Sequence, residues 1–463
     1  MLNNSPSEYK ISAILLLGGS GQRLGSELPK QFHLLSGKPI YLHTIDACIS
    51  LRIFKEIVLV CPEEWVSHVQ ETLLKEGYPP CFAVVSGGST RQESSYFGLL
   101  ACSPKTDFVV IHDAVRPFVS ERILLENISN VISAGAVDTC IASADTIIHT
   151  EEGDFIDSIP KRKEFKRGQT PQSFSYPLIL QAHQKAMEDG LQDCSDDCQL
   201  ALRLGHPIRI VEGEENNIKI TTELDLFIAE QIMRLPGIMP RKKNGSQASL
   251  QGKIFAVTGG TGGIGKALCT LLAKEGATAL PLSTSSTTFS ADLSDSRQAQ
   301  NAFADIYKHF GPIDGLINSI GSLQVKEFLS LTPEEIEHIL SCNLKSVIYS
   351  CRYVQIKDRG HIVNIASSSY SKGRKGYMMY SAAKAALVNF TQGLSEELTN
   401  LHINVVVPQR THTTMRTKNF PSENPNTLLS PEYVAEQIVE LLKQTGLTGS
   451  IMEIRKQQTS FER

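Results

Sequence analysis

Twice along this chain an apolar, strand-length run breaks into a glycine-rich turn and then into a helix-like segment: SAILLLGGSGQRLG at 12–25 and KIFAVTGGTGGIGKALCTLLAKEG at 253–276. Such a run reads as a parallel strand buried on both faces, and the glycines after it leave backbone N–H groups open to a phosphate at the helix N-terminus. A nucleotide-binding sheet opens with one unit of this kind, so two of them require two α/β domains. The length of 463 residues, too great for a single hydrophobic core, agrees. The two loops differ in glycine spacing, so neither half is a copy of the other.

Between them, RLPGIMPRKKNGSQASLQGK (234–253) joins two prolines, a basic triplet and a polar stretch with no hydrophobic period, which marks a linker. The predicted organisation is a first domain at 1–235, a linker at 236–250 and a second domain at 251–463. On both sides, short β-branched runs (EIVLVC, FAVVSG, FVVIHD; then GLINSIG, HIVNIASS, INVVVP) alternate with amphipathic, helix-length segments. The predicted fold class is α/β: two Rossmann-like three-layer domains, each a parallel sheet covered by helices.

Hydrophobic residues at 41% and charged residues at 20% are ordinary for a globular chain, and a net charge of -4 without a long basic block lacks the footprint of a nucleic-acid binder. The longest apolar runs, Ile14 to Leu17 and Ile57 to Cys61, fall far short of the roughly 20 residues that span a bilayer. MLNNSPSEYK has no charged-then-apolar signal pattern, so a cytoplasmic protein without membrane or nucleic-acid partners is expected. Ten cysteines are scattered, mostly in apolar segments, as buried thiols are. Cys194 and Cys198 lie four apart, but no second Cys/His pair is nearby to complete a zinc site.

The first loop, Gly18 to Gly25, with Arg23 inside it and Lys30 beyond, reads as an anion cradle. Asp113 closes the apolar run FVVIHD, and the carboxyl end of such a strand is where α/β sheets place ligands. His112 beside it is expected to be a packed or hydrogen-bonded core histidine.

LLLGGSGQRLGSELPKQF resembles the methylerythritol- and ribitol-phosphate cytidylyltransferase family. The resemblance continues in family order through GGSTRQESSYFGL (87–99), IHDAVRP (111–117), RGQTPQSF (167–174) and NNIKITTELDL (216–226). It implies that Gly88 and Ser94 read the cytosine of CTP, and that Gly18, Gly19 and Gly21 with Arg23 and Lys30 cradle the triphosphate. Asp113 would stand beside the ribose and a Mg²⁺ ion, and Arg162, Thr170 and Lys219 would hold the phosphate of the second substrate. The chemistry suits cations: a phosphomonoester attacking the α-phosphate is already an oxyanion, so no general base is needed, and fixed positive charge must meet the growing negative charge. Residues 138–160 read as a β-hairpin turning at Glu151 to Asp154, an arm that in the resembling family pairs two subunits and so implies a homodimer.

In the second half, Tyr380-Ser-Ala-Ala-Lys384 puts a phenol and an ammonium on one helix face, where the ammonium is expected to lower the phenol's pKa. Such a phenol can give its proton to a carbonyl oxygen as hydride reaches the carbon. Here the chain resembles the short-chain dehydrogenase/reductase family. That implies substrate orientation by Ser367, a proton relay completed by Asn343, and a grip on the nicotinamide ribose by Lys384 and Tyr380. The loop Gly259, Gly263, Ile264 and Gly265, with Asp292, Asn318 and Thr413, would bind the rest of the cofactor. Ser319 in NSIG and Gln409 in Val407-Pro408-Gln409 depart from the family pattern. STSSTT at 283–288 holds no acidic residue for a ribose 2′-hydroxyl, which favours NADPH over NADH.

The fusion resembles the bifunctional CDP-ribitol synthases of capsule and teichoic-acid pathways. It implies NADPH-dependent reduction of D-ribulose 5-phosphate to D-ribitol 5-phosphate, then transfer from CTP to give CDP-ribitol and pyrophosphate. Two alternatives stand beside it: a methylerythritol-phosphate cytidylyltransferase of isoprenoid synthesis fused to an unrelated reductase, and a cytidylyltransferase with a non-catalytic NADPH-binding dimerisation domain. No residue by itself counts the carbons of the polyol.

Overall fold

Runs such as ISAILL and INVVVP have no polar side to show water, so they become central strands, and each half builds its sheet around one of them. The structure is a computed structural model that describes residues 8–18, 28–151, 153–192, 194, 196–233, 249–444 and 446–456. Within it, residues up to 232 gather in one compact unit and those from 249 onward in another. All of the predicted linker except Ser249 and Leu250, and with it Gly19, Gly21 and Arg23 of the first loop, lie outside the described residues. Among the described residues, no helix is long and apolar enough to cross a membrane.

The first unit holds β1 (Ile11–Leu16), a two-stranded ribbon of β2 (Leu34–Leu35) and β3 (Lys38–Pro39), then β4 (Glu56–Cys61), β5 (Phe82–Ser86), β6 (Phe108–Asp113), β7 (Ala136–Ala142), β8 (Lys166–Ser175) and β9 (Arg209–Glu212). Its seven-stranded sheet has the order β5-β4-β1-β6-β8-β7-β9. Every residue of β1 is buried. The order reverses between β1 and β6, which makes the crevice beyond their carboxyl ends the natural ligand site.

The sheet is mixed, not parallel throughout: β8 runs antiparallel to both β6 and β7. A parallel return needs a crossover, usually a helix, and the segment 143–165 that joins β7 to β8 contains no α-helix among its described residues. Within that segment the predicted hairpin is reduced to one antiparallel bridge, His149 to Ser158.

The second unit holds β10 (Ile254–Thr258), β11 (Thr278–Ser283), β12 (Phe289–Ser290), β13 (Ile313–Asn318), β14 (Ile356–Ile365), β15 (His402–Pro408) and β16 (Ile451–Ile454). The order β12-β11-β10-β13-β14-β15-β16 is doubly wound, and every described pairing is parallel. Its reversal lies between β10 and β13, so the second glycine loop opens at the switch point.

Candidate active sites

In the first unit, β6 delivers Asp113 to the strand ends, where it is buried. Lys219 Nζ lies 2.8 Å from its carboxylate, and the Nε atoms of Arg91 and Arg116 each lie 3.7 Å away. Burial alone would raise the Asp113 carboxyl, but Lys219, Arg91 and Arg116 outweigh it and hold the group well below the usual carboxylate range. Arg91 also pairs with Asp197 at 2.6 Å, so three cations stand against two carboxylates and an excess of positive charge remains.

Lys219 is fixed from both sides in sequence. Ile220 N–H donates to the Val115 carbonyl, and the buried Asn217 amide donates to the Thr170 carbonyl at 2.8 Å. Arg116 donates to the Asn217 carbonyl, which ties the two motif segments together. Thr170 is adjacent: its hydroxyl accepts from Asp113 N–H and bonds His112 Nδ1 at 2.9 Å. His112 is fully buried, its Nε2 within reach of the Arg116 carbonyl, and burial lowers its pKa to about 4. It is therefore neutral at pH 7 and serves as a scaffold.

The helix Arg91–Ala101 follows β5, capped by the Thr90 side chain. Its Ser94 hydroxyl accepts from Gly88 N–H at 3.1 Å, so the two residues expected at the base meet. Lys30 begins a short turn, Lys30–Phe32, beyond the glycine loop, and Gly18 lies at the end of β1. Arg162 is not held in this cluster: it is exposed and donates to the Ala144 carbonyl at 2.7 Å. Arg91 and Arg116 were missed from sequence, although both lie inside quoted motifs; an arginine within a strand-end motif was the available signal.

In the second unit the glycine loop folds tightly on itself. A Cβ at Gly265 would stand 2.2 Å from the Gly259 carbonyl oxygen, and one at Gly263 would stand 2.7 Å from the Thr413 side chain. Gly259 itself needs φ +66°. The helix Gly263–Lys274 starts without a side-chain cap, so its first N–H groups can meet a pyrophosphate. This fits a dinucleotide. Gly265→Ala is expected to cost about 1–3 kcal/mol of stability by overpacking and to abolish cofactor binding, readable by thermal melting and by NADPH fluorescence titration.

Tyr380, Ser367 and Lys384 line one cavity of about 680 Å³, with Ile264 and Thr413 from the cofactor side. Lys384 is buried and donates to the Ile365 carbonyl at 3.0 Å. Asn343, in a widened helical turn at Ser341–Lys345, donates to the carbonyls of Ser322 and Ile339. A Cβ at Gly321 would lie 3.0 Å from Asn343 Oδ1 and 3.6 Å from Lys384 Nζ, so the two groups flank one backbone point. Asn318 is internal, its amide bonded to Thr258 and Asn364 across three strands. The exposed Asp292 carboxylate caps Ser294.

One electrostatic expectation is corrected. Burial raises the Tyr380 phenol; the Ser367 hydrogen bond and Arg416 pull it down without overcoming that cost. The reason is that both members of the pair are desolvated: burial lowers Lys384 itself to about 8. A raised phenol stays protonated at neutral pH, the form a reductase needs. Because kcat/KM reports the free enzyme, the reduction profile is expected to fall as pH rises through about 8, where Lys384 loses its charge.

The geometry thus defines a nucleotidyltransferase unit and a short-chain dehydrogenase/reductase unit. Residues 11–235 match the 2-C-methyl-D-erythritol 4-phosphate cytidylyltransferase family, and residues 253–424 match the short chain dehydrogenase family. Over 462 residues the chain is 33% identical to the bifunctional ribulose 5-phosphate reductase/CDP-ribitol pyrophosphorylase Bcs1 of Haemophilus influenzae, covering 97% of this chain and 96% of that protein. The chain belongs to this family of bifunctional reductase/cytidylyltransferases. Among solved structures, 4-diphosphocytidyl-2C-methyl-D-erythritol synthase from Anaerococcus prevotii is 30% identical, covering 49% of this chain and 99% of its own, with a TM-score of 0.44. A short chain dehydrogenase from Burkholderia cenocepacia, in complex with NADP, is 26% identical, covering 45% and 98%, with a TM-score of 0.42.

Proposed function

We propose that the second unit reduces D-ribulose 5-phosphate to D-ribitol 5-phosphate and that the first couples this product to CTP, giving CDP-ribitol and pyrophosphate for a capsule or teichoic-acid type of polymer. The observation that carries this reading is the presence in one chain of both a cation-ringed carboxylate, Asp113, and a protonated phenol in a cavity, Tyr380. The kinship to the H. influenzae protein along nearly its whole length supports the same pairing.

In reduction, Ser367 orients the ketose carbonyl, Tyr380 gives the carbonyl oxygen a proton, and Lys384 holds the nicotinamide ribose. When bound, NADPH supplies the hydride. The loop Gly259 to Gly265 and Thr413 would hold its phosphates, and Asp292 would contact the adenine. The hydroxyls of Thr261 in the glycine loop and of Ser283 and Ser285 at the end of β11 cluster within 3.3 Å of one another, with no acid in the run 283–288, which supports a 2′-phosphate and hence NADPH. In transfer, the polyol phosphate oxygen bonds the α-phosphorus of CTP while pyrophosphate leaves. Gly18, Gly19, Gly21, Arg23 and Lys30 hold the triphosphate, Gly88 and Ser94 read the base, and Lys219 and Thr170 hold the second phosphate, with Arg162, bonded to Ala144, outside that set.

Among the described residues no group of three or more acidic, histidine or cysteine side chains is placed to hold an ion alone. Magnesium is commonly held by one carboxylate together with substrate phosphates, so Asp113 fits it in company with CTP. Exposed apolar residues on the arm, Ile148, Phe155, Ile156 and Ile159, support a homodimer paired there. Phe155→Asp is expected to shift sedimentation toward monomer.

The test is to mix the protein with ribulose 5-phosphate, NADPH and CTP and weigh the nucleotide product. CDP-ribitol is expected; transfer to methylerythritol phosphate in preference to ribitol phosphate would overturn the assignment.

A further inference from the structure

We propose that Arg374, Arg410 and Arg416 form the subsite that holds the phosphate of the ketose in the reductase cavity. This rests on the reductase reading above and adds the residues that would make the enzyme demand a phosphorylated substrate. All three line the same cavity as Tyr380 and Ser367. Arg455 lines it too, but is neutralised by Glu453 at 2.6 Å, within the lining itself.

The other three are balanced differently. Glu423, which does not line the cavity, accepts from Arg416 Nε on one oxygen at 2.7 Å and from Arg416 Nη2 and Arg410 Nη1 on the other, at 2.6 Å and 3.1 Å. That carboxylate braces the two guanidinium groups side by side from behind. Arg416 is locked further, its guanidinium carbon 3.7 Å over the Phe420 ring. Arg374 is exposed and, among the described residues, has no carboxylate partner. Three cations and one carboxylate leave two positive charges uncompensated, matching a phosphomonoester, which carries a charge of about -1.5 to -2 at neutral pH. With Nε and Nη2 of Arg416 given to Glu423, its Nη1 and the remaining N–H groups of Arg410 are left, held in place, for phosphate oxygens.

The spacing suits a ketose phosphate. Phe420 contacts Tyr377 edge-on at 5.7 Å, and Tyr377 contacts Tyr380 at 6.3 Å, so two aromatic rings lead from Arg416 to the proton donor. A substrate whose phosphate lies a few bonds from its carbonyl can bridge the two. The cofactor loop meets the cavity at Ile264, and Thr413, which stands against Gly263 of that loop, caps the helix that carries Arg416.

The test compares D-ribulose 5-phosphate with unphosphorylated D-ribulose, using full-length wild type, Arg374→Ala and Arg416→Ala, with inorganic phosphate as inhibitor. The ratio of kcat/KM between the two ketoses is expected to fall about 100-fold in Arg416→Ala and about 10-fold in Arg374→Ala, with inhibition by phosphate weakened in both. Arg374 is an exposed loop residue, so its variant reports even if Arg416→Ala folds poorly. An unchanged ratio, or equal losses on both ketoses with a raised KM for NADPH, would overturn the subsite and mean the arginines serve the fold or the cofactor. A wild type that oxidises NADPH with neither ketose overturns the reductase reading itself, and a wild type that reduces both equally well overturns the subsite alone.

Discussion

Tyr380→Phe is expected to lower NADPH oxidation with ribulose 5-phosphate by about 1,000-fold while leaving cytidylyl transfer to supplied ribitol 5-phosphate unchanged. The substitution keeps the ring, which packs edge-on against Tyr377 at 6.3 Å, and removes only the hydroxyl. Ser367 loses one partner but keeps the hydroxyl of Ser369 at 3.2 Å, so the cavity wall should hold its shape. What disappears is the proton for the carbonyl oxygen. Since burial keeps the phenol protonated, the wild type should show no loss of rate from this group as pH falls toward neutrality. Separate assays of each half-reaction, supported by a melting curve, check this; an intact reductase would mean another group donates the proton, and loss of both reactions would mean the halves are coupled.

The parts legible in the sequence are those whose chemistry is local. Tyr380 and Lys384 share a helix face at a fixed spacing, Asp113 closes an apolar run, and the glycine loop of the second unit must be glycine because its own carbonyl stands 2.2 Å from where a side chain would begin. What was not legible depends on distant segments meeting. Nothing in GGSTRQ says that Arg91 will reach both Asp113 and Asp197, which are far apart in sequence. The direction of β8 was hidden because a strand run looks the same either way, and only the helix-free connection before it decides. The Tyr380 phenol was misjudged for a related reason: spacing shows a neighbouring charge but not the burial that outweighs it.

Lys219→Ala should do the converse of Tyr380→Phe, lowering cytidylyl transfer about 100- to 1,000-fold, the usual loss when one fixed donor to a developing negative charge is removed, with reduction intact. Lys30→Ala is expected to act in the same sense on transfer. Lys219 differs in a second respect, because it is the nearest cation to a buried carboxylate, at 2.8 Å. With the lysine gone, Asp113 keeps Arg91 and Arg116 at 3.7 Å, and its carboxyl should move back up toward the ordinary range. The stability effect is about 1 kcal/mol, kept small because the lysine side chain is 38% exposed to solvent. The sign follows from the depressed folded pKa: its contribution is complete above the unfolded carboxylate pKa of about 3.9 and is lost progressively as pH falls from there through the folded pKa. Wild type and Lys219→Ala should therefore melt apart at pH 7 and draw together only in strong acid, as pH falls through the depressed folded pKa of Asp113. A gap that persists in acid would place the lost stability in the packing of the 217–220 segment, and the loss of transfer would then have to be reassigned to a displaced loop.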